Sequence, residues 1–321
     1  MKENESPKSL QEAMTYFADP KRAHDFMCGV LWPDGKPKCP HCGSENVGTF
    51  SGKRMVSNCK ACKKQFTVKI GTIFGDSPLP LSKWLPAVWL IVNAKNGISS
   101  YELGRALDVT QKTAWFMNHR IRLALQEGSF TKMKGQVESD ETFIGGRDRF
   151  RHKAKKHVTS GWSGKTPVQG LLERGTRDAV SRVKLKVLKT TRNHEVQGNV
   201  REYVLKGSHM YTDALRSYIG LNQDYAHQVI DHAICYAKGH VHTNGLENFW
   251  CLLKRSIKGT YVNVEPFHLS RYLDEQAFRY NERKDTDGGR FLKAIRGIVG
   301  KSLSYVDLIG KGGDDLQQAV A

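Results

Sequence analysis

Two C-x-x-C pairs, Cys39-Pro-His-Cys42 and Cys59-Lys-Ala-Cys62, restrict the fold of this chain more than any other feature. Sixteen residues separate them. Each short turn aims two thiolates at one point, and two such turns close a tetrahedron around Zn²⁺. The segments VGTF and KRMVSNC between the pairs, and QFTVKIGT after them, read as short strands. Residues 31–74 are therefore expected to form a zinc ribbon. Four thiolates leave no open coordination position, so the zinc is structural and a zinc-dependent hydrolase is disfavoured. His41, inside the first knuckle, is not needed as a ligand. Cys28, Cys235 and Cys251 are scattered and read as core or bystander thiols.

A paired set of reduced cysteines fits an intracellular protein. The first ten residues, MKENESPKSL, lack an apolar stretch, and no apolar run approaches the roughly 18–20 residues of a membrane span. The expectation is a cytoplasmic, nucleoid-associated protein with no membrane partner. Fifty Lys and Arg against 32 Asp and Glu leave a net charge of +18, which favours a polyanion as partner, above all nucleic acid. Composition shifts along the 321 residues suggest five segments. They are a helical segment over 1–30, the ribbon over 31–74, a helical DNA-binding region over 75–128, a larger α/β domain over 129–290, and a C-terminal helix and tail over 291–321.

Within the helical region, Leu81, Trp84, Leu85, Val88, Trp89 and Val92 recur at helical spacing, with Pro86 as an interruption. Ser99 or Ser100 can cap a short helix carrying Leu103, Ala106 and Leu107. Asp108-Val109-Thr110 makes a turn, and Thr110 can cap a helix carrying Ala114, Trp115, Met117, Ile121 and Leu125. Helix, short turn and second helix with a polar start fit a helix-turn-helix. In that reading Gln111, Lys112 and Thr113 face base edges, while His119, Arg120 and Arg122 meet phosphate. A three-helix bundle used only for packing fits the same pattern. Lys53, Arg54, Lys60, Lys63 and Lys64 give the ribbon a basic surface.

From Gln136 onward, strand-like and helix-like segments alternate. QVESDETFIGG, PVQGLLERG and AVSRVKLKVLKT read as three strands, NHEVQGNVREYVLKG as a helix, HMYTDAL and AHQVIDH as two more strands, and NGLENFWCLLKRSIKG as a helix opened by Thr243. This is the element order of a ribonuclease H-like fold with a mixed sheet. The first and fourth strands would then be neighbours, bringing Asp140 and Asp213 together, and the late helix would add Glu247. Three carboxylates suit hard cations: two Mg²⁺ or Mn²⁺ ions flanking a phosphate can activate the attacking oxygen and stabilise the leaving one. Asn244, Glu247 and Lys254 share one face of the late helix, and Leu246, Phe249, Trp250 and Leu253 form its apolar stripe. Lys254 and Arg255 are placed to meet DNA phosphate. Glu141, next to Asp140, should face the other side of its strand and be structural. The basic run Arg147–Lys156 is expected to lie on DNA or to be disordered without it. Arg271, Arg279, Arg283 and Lys284 accompany Tyr272, Leu273 and Phe278 on a further helix, read as phosphate contact on one face and packing on the other.

The segments WPDGKPKCPHCGS, GTIFGDSPLPLSKW, SDETFIGG, YTDA, HTNGLENFWCLLKRSIKGTY and HLSRYLDEQAFRYNERK occur in this order along nearly the whole chain. In them the chain resembles the ISXO-like bacterial insertion-sequence transposases, which join a zinc ribbon to a DDE-type integrase-like domain. The resemblance implies movement of a mobile element, with Asp140, Asp213 and Glu247 matching the triad and Lys254 the basic residue after it. It also allows Asn244 as the third residue, and this chain holds both. The expected function is metal-dependent cleavage and strand transfer on double-stranded DNA, at element terminal repeats and target DNA, by a homo-oligomer of at least two subunits. Water would free a 3′-OH at the element end, and that hydroxyl would attack target DNA. Two other classes use the same residues: a DNA-binding regulator or decayed transposase that binds without cutting, and a nuclease that cuts without joining.

Overall fold

Hydroxyl and carboxylate side chains at the starts of apolar-periodic runs set the helices of the N-terminal half. Ser9 caps α1 (Leu10–Ala18), and Asp19, followed by Pro20 at the first helical position, caps α2 (Pro20–Leu31). Ser99 and Glu102 form a reciprocal capping box on α4 (Ser100–Leu107). Asp108 ends α4 in the left-handed conformation, and Thr110 caps α5 (Gln111–Ala124) two residues later. The α3 helix (Leu81–Asn93) runs through Pro86, whose ring is buried with Trp84, Leu85, Val88 and Trp89.

The computed structural model describes residues 7–52, 54–126, 130–145, 164–230 and 239–311. Two units are distinguished: Met1–Gln126 with Asp285–Ala321, and Glu127–Lys284. In the first, α3 is the hub, packed by α1, α2, α4, α5 and α9 (Asp287–Arg296). Phe17, Phe26 and Trp89 gather around Phe291, with ring centroids 5.7, 5.8 and 5.2 Å from it. The C-terminal segment from Asp285 thus belongs to this unit's core. The ribbon hairpin pairs β1 (Ser57–Asn58) with β2 (Gln65–Phe66) antiparallel. Its small core is Cys39, Cys59 and Phe66, flanked by Trp32, Val47 and Phe50.

The second unit is a five-stranded mixed sheet with helices on both faces. Its strands are β3 (Gln136–Ile144), β4 (Thr166–Glu173), β5 (Arg182–Val187), β6 (His209–Asp213) and β7 (Ala226–Ile230), in the order β5-β4-β3-β6-β7. The β3–β4 and β4–β5 pairs are antiparallel, and β3–β6 and β6–β7 are parallel. Period-2 alternation decides what each face buries. Val168, Leu172, Val183 and Leu185 pack under α7 (Asn244–Ser256) and α8 (Leu269–Asn281), against Leu246, Phe249, Trp250 and Leu253. Val137, Leu171 and Met210 pack on the opposite face, against Val196 and Val200 of α6 (Asn193–Tyr203). The apolar stripe anticipated for α7 is buried in full.

Within α8, Arg279 is buried and ion-paired to Glu275, and also donates to Gln276 Oε1 at 2.7 Å. It therefore supports the core of this unit, not the phosphate contact read from the sequence. No described helix is long and apolar enough to cross a membrane.

Candidate active site and thiolate centre

Backbone geometry at each knuckle gathers the cysteines. The His41 and Cys62 amides donate to Cys39 Sγ and Cys59 Sγ, each at 3.4 Å. The Cys62 and Ala61 amides pull the Cys59 thiol down to about 6, which favours the thiolate. Cys39 and Cys62 sulfurs lie 3.7 Å apart, and Cys42 and Cys59 sulfurs 3.6 Å apart. A tetrahedron with zinc–sulfur bonds of about 2.3 Å has edges of about 3.8 Å, so the four sulfurs fit Zn²⁺. Among the described residues, this is the one group of three or more His, Cys, Asp or Glu whose ligand atoms all lie within 4.8 Å of one another. His41 points elsewhere, toward the Gln65 carbonyl at 3.4 Å.

At the start of α5, Gln111 and Lys112 are exposed and Thr113 is partly buried. Gln111 donates to Ser100 Oγ at 2.9 Å, and the Lys112 ammonium lies 5.1 Å from the Tyr305 ring centre. Further along α5, the expected phosphate contacts are overturned. His119, Arg120 and Arg122 are buried. Arg120 donates to the carbonyls of Leu303, Ile73 and Gly75 and stacks on Phe116, leaving its guanidinium no open side for phosphate. Burial removes these side chains from water, and the Arg120 cation is held by carbonyls from the segments packed on it. Lys53 and the run Arg147–Lys156 lie outside the described residues.

In the second unit, the parallel β3–β6 pair aligns Ser139 with Thr212, so Asp140 and Asp213 sit at neighbouring strand positions. Glu247 lies in the first turn of α7, which crosses β3 and β4. Burial pushes the Asp140 carboxyl up to about 6, against the hydrogen bond from Trp250, and the charges of Asp213 and Glu247 push the same way. The charges of Asp213 and Glu247 thus both reach Asp140. Trp250 Nε1 donates to Asp140 Oδ2 at 2.8 Å, orienting it from the helix that carries Glu247. Asp213 Oδ1 accepts from the Leu215 amide at 3.1 Å. Lys254 is partly buried, Arg255 is exposed, and Asn244 is exposed at the first position of α7.

Three further residues line or brace this region: Glu141, which the sequence marks as structural, and Glu138 and Arg174, which it does not single out. Glu141 does point away from Asp140, toward the Tyr218 hydroxyl, yet it lines the same cleft as Asp213. Burial, and then repulsion from Asp213 and Asp140, lift its carboxyl to about 8 against the Tyr218 hydrogen bond. The cleft, about 720 Å³, is also bordered by Thr191, Lys165 and Lys254. Glu138, two residues before Asp140 on the same strand face, is 1% exposed. It accepts from Arg174 Nε at 2.7 Å and from the Leu246 amide at 3.0 Å. Thr243 makes no side-chain cap bond, so this carboxylate from β3 replaces the threonine cap expected for α7. Arg174 also donates to the carbonyls of His240 and His242, both at 2.7 Å, tying down the approach to α7. The signal that could have found Glu138 was its parity with Asp140 on a strand whose face is buried.

Two glycines permit these approaches. A Cβ at Gly245 would stand 2.8 Å from Glu138 Oε2, and one at Gly170, which pairs with Asp140, would stand 2.7 Å from the Trp250 ring.

The four-thiolate ribbon and the carboxylate-bearing mixed sheet each lie within a stretch that matches a known transposase domain. Residues 132–281 match the ISXO2-like transposase domain, and residues 19–65 match the transposase zinc-ribbon domain. The chain thus carries both domains found in this kind of transposase. It is also 26% identical over 278 residues to a Halobacterium salinarum protein described as an uncharacterized protein in transposable element ISH50, covering 80% of this chain and 89% of that one.

Proposed function

We propose that this chain is an insertion-sequence transposase that binds the ends of its element and cuts and joins double-stranded DNA at the carboxylates Asp140, Asp213 and Glu247, beside the cleft that Asp213 lines. The observation that carries the proposal is geometric: the parallel β3–β6 register sets Asp140 and Asp213 at neighbouring positions, and α7 packs on β3 so that the charge of Glu247 also reaches Asp140. The reading takes the unit Glu127–Lys284 as a ribonuclease H-like domain and α4–turn–α5 as a helix-turn-helix. Gln111, Lys112 and Thr113 then meet the DNA bases, beside the zinc ribbon.

Divalent cations, Mg²⁺ or Mn²⁺, suit an all-oxygen donor set and would supply charge neutralisation and Lewis acidity at a phosphodiester. Asp140, Asp213 and Glu247 would hold them. Glu247 is preferred to Asn244 as third residue because its charge reaches Asp140 while Asn244 stands exposed. The chain's own residues supply positioning. Trp250 fixes the rotamer of Asp140 through its indole N–H. Glu138 and Arg174 hold the N-terminus of α7, and with it Glu247, against β3. Lys254 and Lys165, which border the cleft lined by Asp213 and Glu141, offer cations to the phosphates on either side of the scissile one. Cutting and joining two element ends calls for at least two subunits.

Strand transfer tests this. Purified protein, labelled element-end DNA, a target plasmid and Mg²⁺ should give joined product, and Asp213→Ala should reduce it to background while leaving end binding intact. End binding with neither nicking nor joining by the wild type would instead assign the chain to the regulators or decayed elements. Nicking without joining would make it a nuclease.

A further inference from the structure

The cleft beside Asp213 opens into a second cavity. Phe143, Lys165 and Lys254 border both spaces, and beyond them lies a volume of about 540 Å³. Its character differs from that of the first. Glu141 and Asp213 line the first cavity, whereas among the described residues no carboxylate lines the second. Its charges are the three ammonium groups of Lys165, Lys254 and Lys258, and its walls are apolar, from Phe143, Ile144, Ile257 and Val264.

The backbone on the far side of this cavity is irregular. The α7 helix gives way to a π-helical turn over Ile257–Tyr261, and Val262 follows at φ 62° with 77% of its surface exposed. A β-branched residue in the left-handed region is strained, and π-turns and strain of this kind gather where a fold clamps a ligand. Hydrophobic burial does not account for Val262, since its side chain stands in solvent.

The ligand must combine an apolar body with negative charge, and it must reach the acidic cleft that shares Phe143, Lys165 and Lys254 with this cavity. A duplex is too wide for a recess of this size. A single nucleotide turned out of the helix is not: its base suits the apolar wall and its phosphates suit the lysines. We infer that the second cavity receives an unpaired nucleotide adjoining the scissile phosphate, with its base against Phe143 and the Val262–Val264 wall and its phosphate on Lys165 and Lys258. The inference rests on the proposed DNA cleavage at Asp140, Asp213 and Glu247 and adds a substrate subsite to it. Turning a nucleotide out would separate the strand to be cut from its complement and present its phosphate edge-on to the carboxylates. A base held against an aromatic face is recognised with little dependence on its identity, so this pocket would serve position along the strand more than sequence.

The test uses the full-length protein and an element-end duplex with 2-aminopurine placed, in turn, at each of three positions on either side of the cut. Complexes are formed in Ca²⁺, and cutting and joining are followed separately in Mg²⁺ with the unlabelled duplex. The expected result is a rise in 2-aminopurine fluorescence at one position beside the cut and little change elsewhere. Lys258→Ala, at an exposed position that leaves the fold untouched, should lower that signal and weaken the end complex about tenfold, the scale of one lost base-stacking or phosphate contact. Phe143→Ala should abolish the signal. The inference is overturned if wild-type protein cuts and joins in Mg²⁺ while every position stays as dark as free duplex, or if the signal survives Lys258→Ala and Phe143→Ala unchanged. If wild-type protein neither cuts nor joins, the proposed function fails first and the subsite falls with it.

Discussion

The thiolate centre and the carboxylate cleft both gather ligand-bearing side chains, but over different lengths of chain and by different forces. The four cysteines lie within 24 residues, and two knuckle turns with backbone amides aimed at sulfur are enough to bring them together. Asp140 and Glu247 are more than a hundred residues apart and meet only because β6 lies beside β3 and α7 crosses the sheet. The thiolate centre would be stabilised by the zinc its four sulfurs fit. The carboxylate cleft works against its fold, because burial and mutual repulsion raise Asp140 and Glu141. A site built from local turns tolerates change elsewhere in the chain, whereas one built by long-range packing depends on every layer between its parts.

The strongest way to break this contrast is to remove the metal. Cys59→Ser should release zinc, measured by atomic emission, and unfold the ribbon, because structural zinc in small domains contributes on the order of 10–16 kcal/mol. DNA binding should fall with it, while the β-sheet signal of the second unit persists in hydrogen exchange. Loss of sheet protection along with the zinc would mean that the two sites are not independently built.

A smaller effect is expected from the cap that joins β3 to α7. Glu138→Gln leaves the Arg174 guanidinium without its counter-charge, and breaking a buried pair in this way costs about 3–5 kcal/mol. Denaturant unfolding should show most of that loss, reduced somewhat because Arg174 keeps part of its surface in water. Strand transfer should drop further than stability alone explains, since α7 carries Glu247. An Arg174→Met, Glu138→Gln double variant should recover part of the stability but not the activity. Equal recovery of both would reduce the pair to a stabilising contact.

The smallest change sharpens the comparison most. Gly170→Ala puts a methyl group against Trp250 and Leu246, an overpacking cost of about 1–3 kcal/mol. The indole should shift from Asp140, so joining should slow while zinc content stays at one ion per chain. An unchanged joining rate, with the stability loss present, would show that Trp250 does not orient Asp140.

Much of this architecture was readable from the chain. The cap residues Ser99 and Thr110, the alternation along β3 to β5 and the apolar stripe of α7 each announce a local structure through a local cause, and each is found where expected. The errors share a cause as well. Arg120, Arg122 and Arg279 were read as surface cations because charge in a helix is usually solvated, yet their helical positions face packed neighbours. Glu141 was set aside by strand parity, which gives its direction correctly but says nothing of the cleft that curls around the strand end. Glu138 drew no notice because its partners, Arg174 and the Leu246 amide, come from distant segments.

Spacing and residue type alone point to the thiolate ribbon, the caps at Ser99 and Thr110 and the strand alternation, while the order of elements and the family resemblance nominate Asp140, Asp213 and Glu247. Which carboxylates share a cleft, which arginines are buried in place of solvated, and what holds α7 against β3 depended on the packing of segments far apart in the chain. Local hydrogen bonds and side-chain periodicity act over a few residues and leave a mark in the sequence. Burial and charge coupling are properties of the assembled layers, and they exist only once the sheet and its helices have closed around them.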